Sequence, residues 1–293
     1  MSSRMTYTIA PTTEPLLSHY IYPEIFTDAR FDTQHFLGRG RYAVMYQARR
    51  LTDDRVVILK TIENANNEIL QKYADEAKHL SQMDHPNIVH LFDCGPAGGA
   101  YLLVLEYVGE KTVQSLIDDK KQLSCDQVRS IIIPICDALA YLHGRGEVHP
   151  FLKPNHIVLR DKDQHPVLID FAKQYYAHEV KTISSGGAFF QNAEYAAPDV
   201  VLGTPVQAPA NVYSLGCIMY AMLTGIPPFT GQNQIEVASK QMSEKPKPPS
   251  KNIYTAEVPK DLDKLVMSML EKKPDKRSKT RVLPCSIFLD AVG

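Results

Sequence analysis

Two stretches restrict this chain more than any others: "VRSIIIPICDALAYLH" (128–143) and "NVYSLGCIMYAMLTG" (211–225). Both have helical length, and neither has the polar face that a surface helix needs. Each must be covered by other elements over most of its surface, which requires a core built around buried helices. The 293 residues suit one large domain or two lobes sharing an interface. Pro134 lies inside the first stretch and is expected to bend it or to mark an irregular turn.

The pattern upstream is different. From Phe31 to about Val108 it is mostly strand-like, in "HFLGRGRYAVMYQAR", "RVVILKTI" and "YLLVLEYV". One helix is expected within it, over about 66–83, from the spacing of Ile69, Tyr73, Ala77, Leu80 and Met83. Residues 1–30 read as an extension packed on the domain. A strand-rich third followed by a helical remainder is most economically read as two lobes joined near 106–111. The cleft between lobes is the default place for a ligand.

Composition excludes several classes. A formal net charge of −1 argues against a nucleic-acid or membrane-surface protein. Cys94, Cys125, Cys136, Cys217 and Cys285 form no CxxC pair, which suggests reduced thiols in a cytoplasmic setting. No apolar run approaches the ~18 residues of a membrane span, and the N-terminus lacks a signal-peptide pattern. The chain can equally be a piece of a longer protein. The basic runs "SEKPKPPSK" (243–251) and "EKKPDKRSKTR" (271–281) read as a solvated loop and helix end.

Within the strand-rich part, Gly38 and Gly40 sit two apart between strand-like flanks, with Ala43 at a third small position. Glycines there let backbone N–H groups approach phosphates, although a glycine-containing hairpin gives the same pattern. Lys60 ends the β-branched run "VVILK", and a buried ammonium needs a partner. Glu76, on the following helix, is the natural one.

From "EAKHLSQMDHPNIVHLFD" onward the offsets resemble the eukaryotic-type Ser/Thr protein kinases, over about residues 31–290. In order, "YLLVLEYV" resembles the fifth strand and hinge, with Leu105 as gatekeeper. "YLHGRGEVHPFLKPNHIVL" resembles the catalytic loop, "LIDFAK" the Asp-Phe-Gly motif and "YAAPD" the Ala-Pro-Glu motif. "NVYSLGCIMYAMLTGIPPF" resembles the central buried helix, and "VPKDLDKLVMSMLEKKPDKR" the penultimate helices, ending at Arg277. The resemblance implies an α+β bilobal fold, with a strand-rich N-lobe over 31–108 and a helical C-lobe over 109–290. It also implies ATP with Mg²⁺ or Mn²⁺ as cofactor, held at Gly38, Gly40, Ala43, Lys60, Glu76, Glu106, Val108 and Asp170, with Asp170 as metal ligand.

Residue by residue, the resemblance divides. Lys60, Glu76, Lys153 and Asp170 match the phosphate-binding lysine, its partner, the catalytic-loop lysine and the Mg²⁺-binding Asp. Phe151 stands at the catalytic base, where it has no lone pair and fills the space for the substrate oxygen. His156 stands at the Asn that binds the second metal, and a hard cation prefers oxygen there. A lone histidine is also commonly a hydrogen-bonded structural residue. Pro150 replaces the Arg that pairs with an activation-loop phosphate, so regulation through Ser184 or Ser185 is expected to be lost. Asn192 replaces a Thr that contacts the catalytic Asp. Ile58 replaces the small Ala over adenine and narrows that pocket.

Structural positions are better kept. The regulatory stack matches Leu80, Leu91, His149 and Phe171, with Asn211 at the Asp that anchors it. Asp199 can still pair with Arg277. Three readings follow. One is a pseudokinase that binds a protein partner or an adjoining domain. Another is a divergent Ser/Thr kinase or other phosphoryl or nucleotidyl transferase. The third is a nucleotide-gated switch without chemistry.

Overall fold

The computed structural model describes residues 28–39, 43–63, 67–97, 100–171, 193–252 and 258–277. The chain divides into two compact units, Met1–Asp84 with Val89–Val108, and His85–Ile88 with Gly109–Gly293. The first is strand-rich and the second helical, the arrangement of a bilobal protein-kinase-like fold.

The first unit is built on five antiparallel strands: β1 (Phe31–Arg39), β2 (Ala43–Arg50), β3 (Arg55–Ile62), β4 (Leu91–Ala97) and β5 (Ala100–Glu106). Their order in the sheet is β1-β2-β3-β5-β4. Side chains alternate across a strand. One face therefore carries Val44, Tyr46, Ala48, Val57, Leu59, Leu102 and Val104, which close a core with Phe31. The opposite face carries Lys60, registered with Met45 and Leu103, and Ile58, registered with Gln47 and Leu105. The helix α1 (Asn67–Leu80) buries Tyr73, Ala77 and Leu80, which share one helical stripe.

The second unit contains β6 (Lys111–Thr112), α2 (Val113–Lys120), α3 (Cys125–Gly144), β7 (Ile157–Leu159), β8 (Pro166–Leu168), α4 (Pro198–Val201), α5 (Ala208–Thr224), α6 (Gln234–Ser243) and α7 (Lys260–Met269). Both apolar runs are helices. In α5 every residue from Ala210 to Thr224 is buried, so it is the unit's axis. It ends on Gly225 in the left-handed conformation, φ 82°, where a Cβ would collide with the Lys121 carbonyl oxygen. A reciprocal Ser124–Gln127 capping box starts α3. Of the bend or irregular turn expected at Pro134, the turn is not seen: Pro134 lies inside α3, which runs unbroken from Cys125 to Gly144.

His85–Ile88 belongs with the second unit for a local reason. Leu168 N–H donates to the Asn87 carbonyl at 2.8 Å, and Asn87 Nδ2–H donates to the Pro166 carbonyl at 2.7 Å. His85 accepts from Asn87 N–H through Nδ1, which leaves its Nε2–H to donate to Asp137 at 3.2 Å. Among the described residues, no helix is long and apolar enough to cross a membrane.

Candidate functional site

In the first unit, Lys60 and Glu76 are each 8% exposed. Lys60 Nζ lies over the Tyr73 ring, 5.4 Å from its centroid, so α1 presents an aromatic face to Lys60 on β3. Gly38 closes the end of β1 opposite Met45, and Ala43 opens β2 opposite Ile62. Gly40 lies outside the described residues. Ile58 is half-buried on the same sheet face as Lys60, directly opposite Leu105. Glu106 ends β5, and Val108 is buried beyond it.

In the second unit, the loop between α3 and β7 carries His149, Phe151, Lys153 and His156, and the turn after β8 carries Asp170 and Phe171. His149 is fully buried, with its ring 4.9 Å from that of Phe171. Its Nε2–H donates to the Ile169 carbonyl at 3.0 Å, which leaves a bare Nδ1 without a hydrogen-bond partner. Burial pushes this imidazole down to about 4, although the Ile169 carbonyl and Asp170 favour the charged form.

Asn211, near the start of α5, holds the loop from below. Its Oδ1 accepts from His149 N–H at 2.9 Å and from His143 Nε2–H at 3.1 Å, and its Nδ2–H donates to the His149 carbonyl at 2.6 Å. Burial also lowers His143. Asn211 thus makes three hydrogen bonds, two to the His149 backbone and one to His143 on α3.

His156 is turned onto Asp170. Its Nδ1–H donates to the Phe151 carbonyl at 2.7 Å, and its Nε2 lies 3.4 Å from Asp170 Oδ2. Burial pushes His156 down to about 3, against the opposing pull of the Asp170 carboxylate. Asp170 adopts φ 64°, a left-handed conformation uncommon for a residue with a Cβ, and its side chain is 43% exposed. Lys153 is lowered by burial and raised by Asp170. Thus Lys153, His156 and Asp170 come together within one unit. Phe151, with Pro150, Tyr195, Ala197, Val206 and Ser214, lines a small cavity of about 30 Å³.

Two further clusters support this region. Arg277, whose side chain is fully buried, bonds Asp199 at 2.5 Å and the carbonyls of Pro209, Glu271 and Lys272. Asp199 therefore reaches its partner despite its shorter side chain. Gln241 on α6, also fully buried, accepts from the Tyr213 hydroxyl at 2.5 Å and donates to the Ala193 and Glu194 carbonyls at 2.9 and 2.8 Å. Lys272 joins it, donating to the Gln241 carbonyl at 2.8 Å and lying 4.3 Å from the Phe229 centroid. Burial pushes Lys272 down to about 8. Sequence reasoning missed Gln241, Lys272 and His143. A lone Gln or His on a helix carries no local signal of the distant groups it will meet. Ser184, Ser185 and Asn192 lie outside the described residues.

The chain matches the family model of the protein kinase domain over residues 31–288. It belongs to the protein kinase family. A protein of Clostridium perfringens described as a probable serine/threonine-protein kinase is 32% identical over 256 residues, covering 86% of this chain and 36% of that protein. The serine/threonine-protein kinase PknB of Mycolicibacterium smegmatis is 30% identical over 266 residues, covering 88% of this chain and 42% of its own length. PknB of Mycobacterium tuberculosis is 30% identical over 258 residues, with 86% and 41% covered. The chain thus spans about two fifths of the length of the curated relatives it matches.

The cofactor that the kinase family implies is ATP with Mg²⁺. Asp170 suits a hard cation, because its carboxylate is partly open to solvent. His156 does not: it offers a nitrogen where the resemblance places an oxygen ligand. The residues where the resemblance places a second metal therefore do not fit Mg²⁺.

Proposed function

We propose that this kinase domain works as a pseudokinase, binding a protein partner or an adjoining domain without efficient phosphotransfer. The observation that carries the reading is Phe151 at the base position. Its side chain has no lone pair and is half-buried against the walls of a small cavity, while its backbone carbonyl is taken by His156. General-base assistance is worth ~10²–10⁴-fold, and loss of positioning adds to that. The changes at Pro150, His156 and Asn192 point the same way. The folding elements meanwhile remain well bonded, through Asn211, Gln241 and the Arg277–Asp199 pair. The proposed location is the cytoplasm.

The test is incorporation of labelled γ-phosphate into the domain and into a generic protein substrate. Incorporation should match the background of a Lys60→Ala control. Catalytic incorporation that Lys60→Ala abolishes would overturn the proposal.

A second reading, a divergent Ser/Thr kinase or other phosphoryl or nucleotidyl transferase, is favoured by the retention of Lys60, Glu76, Lys153 and Asp170. The three relatives described above carry Ser/Thr kinase names. Under this reading Asp170→Ala removes a measured transfer activity. In a nucleotide-gated form without chemistry, ATP raises the melting temperature and Lys60→Ala removes that rise.

A further inference from the structure

We propose that His156 Nε2 and Asp170 Oδ2 form a two-ligand site for a borderline divalent transition-metal ion, of the Co²⁺ or Zn²⁺ type, in preference to Mg²⁺. The proposal goes beyond the functional reading above, because it holds whether or not the domain transfers phosphate.

The tautomer of His156 is the first support. The Phe151 carbonyl can only accept, so His156 Nδ1, 2.7 Å away, carries the proton. In the neutral ring Nε2 is then a bare lone pair, and it faces the carboxylate of Asp170. A metal-ligating histidine is typically held in this way, with its other N–H donating to a backbone carbonyl that sets the ring orientation and raises its basicity.

The separation is the second support. An imidazolium–carboxylate hydrogen bond is about 2.7–2.9 Å long. His156 Nε2 and Asp170 Oδ2 are 3.4 Å apart, too far for that bond. Two donors about 2.1 Å from one ion and separated by this distance subtend roughly 108° at the ion, close to tetrahedral geometry. The distance is thus the bite of a ligand pair.

The donor set is the third. One imidazole nitrogen with one carboxylate oxygen suits a borderline ion, whereas Mg²⁺ prefers oxygen alone and dehydrates reluctantly. Among the described residues, no group of three or more His, Cys, Asp or Glu could hold a metal. The ion would keep its remaining positions for water or an anionic ligand. Asp170 is 43% exposed and also acts on the Lys153 ammonium, so an ion here would share that carboxylate with Lys153, while His156 is 13% exposed.

The test is titration of the metal-free chain with Co²⁺, followed by its visible d–d absorption, with Zn²⁺ and Mg²⁺ as competitors. Saturable absorption is expected that Zn²⁺ removes and a large excess of Mg²⁺ does not. Asp170→Asn and His156→Asn should each weaken Co²⁺ binding roughly tenfold or more. His156→Asn should also let Mg²⁺ compete. The Asp170 variant alters a partly exposed side chain, so it reports even if the His156 variant folds poorly. Equal Co²⁺ binding by wild type and Asp170→Asn, displacement by Mg²⁺ as readily as by Zn²⁺, or no Co²⁺ binding overturns the proposal. None of these outcomes depends on phosphate transfer, so this site and the pseudokinase reading can fail separately.

Discussion

Asn211 grips the backbone of His149 from both sides, accepting its N–H at 2.9 Å and donating to its carbonyl at 2.6 Å. A carboxylate at this position could make only the first of these bonds, because it has no donor. The residue that follows His149 is Pro150, which has no N–H to offer a second acceptor. The amide at 211 therefore suits a loop with proline at 150: it uses the carbonyl where another N–H is lacking.

Asn211→Asp should accordingly destabilise the domain by about 1–3 kcal/mol, since it sets an acceptor against the buried His149 carbonyl. Urea denaturation at neutral pH would show a lower midpoint. An unchanged midpoint would mean that the Nδ2–H bond contributes nothing.

Acid should weaken the fold through His149. Burial holds its folded value at about 4, below the ordinary value of 6.5. The unfolded chain therefore binds the proton first as pH falls. The contribution is fully present above about pH 6.5 and is lost progressively down to about pH 4, amounting to about 3 kcal/mol. His156, held at about 3 by burial, acts in the same direction. His149→Phe keeps an aromatic ring beside Phe171 and removes the titration. Its stability should fall less steeply between pH 7 and 4 than that of the wild type, as measured by denaturation at several pH values.

Arg277→Ala should cost about 3–5 kcal/mol, because it leaves the partly buried Asp199 carboxylate without its cation. It also frees three backbone carbonyls. A melting curve close to wild type would contradict this.

Gln241→Ala should loosen the chain at 193–195 more than the rest of the second unit. It removes the donors to the Ala193 and Glu194 carbonyls and takes away the acceptor of the Tyr213 O–H, which keeps only its bond from Lys272. Hydrogen exchange should rise at residues 193–195 before it rises along α5. Uniform acceleration would indicate that Gln241 supports only global stability.

Phe151→Asp combined with His156→Asn places a carboxylate and an amide at the two altered positions. Under the pseudokinase reading the double variant should incorporate more labelled phosphate than the wild type, by up to ~10²–10⁴-fold. Each single change should give less than the pair. Equal incorporation by wild type and double variant would move the cause of low activity elsewhere, with Ile58 the next residue to test.

Much of this was legible without coordinates, for reasons that depend on residue type. The unbroken apolar character of 211–225 required burial on all sides, and α5 is buried along nearly its whole length. The β-branched run ending at Lys60 read as a strand, and it lies in β3 (Arg55–Ile62); that Ile58 shares its face opposite the core residues is seen from the register. Asp199 and Arg277 could be paired because the resemblance places them at the Ala-Pro-Glu carboxylate and its arginine partner, and the two side chains do meet. The reach of Gln241 was not legible, because its partners lie 28 to 48 residues away.

The sequence by itself determined what positions 150 and 151 can offer: a phenyl ring has no lone pair in any fold, and proline has no N–H. Only the tertiary structure decided what the loop around them does. The loop brings the Phe151 carbonyl onto one nitrogen of His156 and the left-handed turn at Asp170 brings a carboxylate toward the other. A histidine has two different nitrogens, and which of them is left with a free lone pair is set by its neighbours in space.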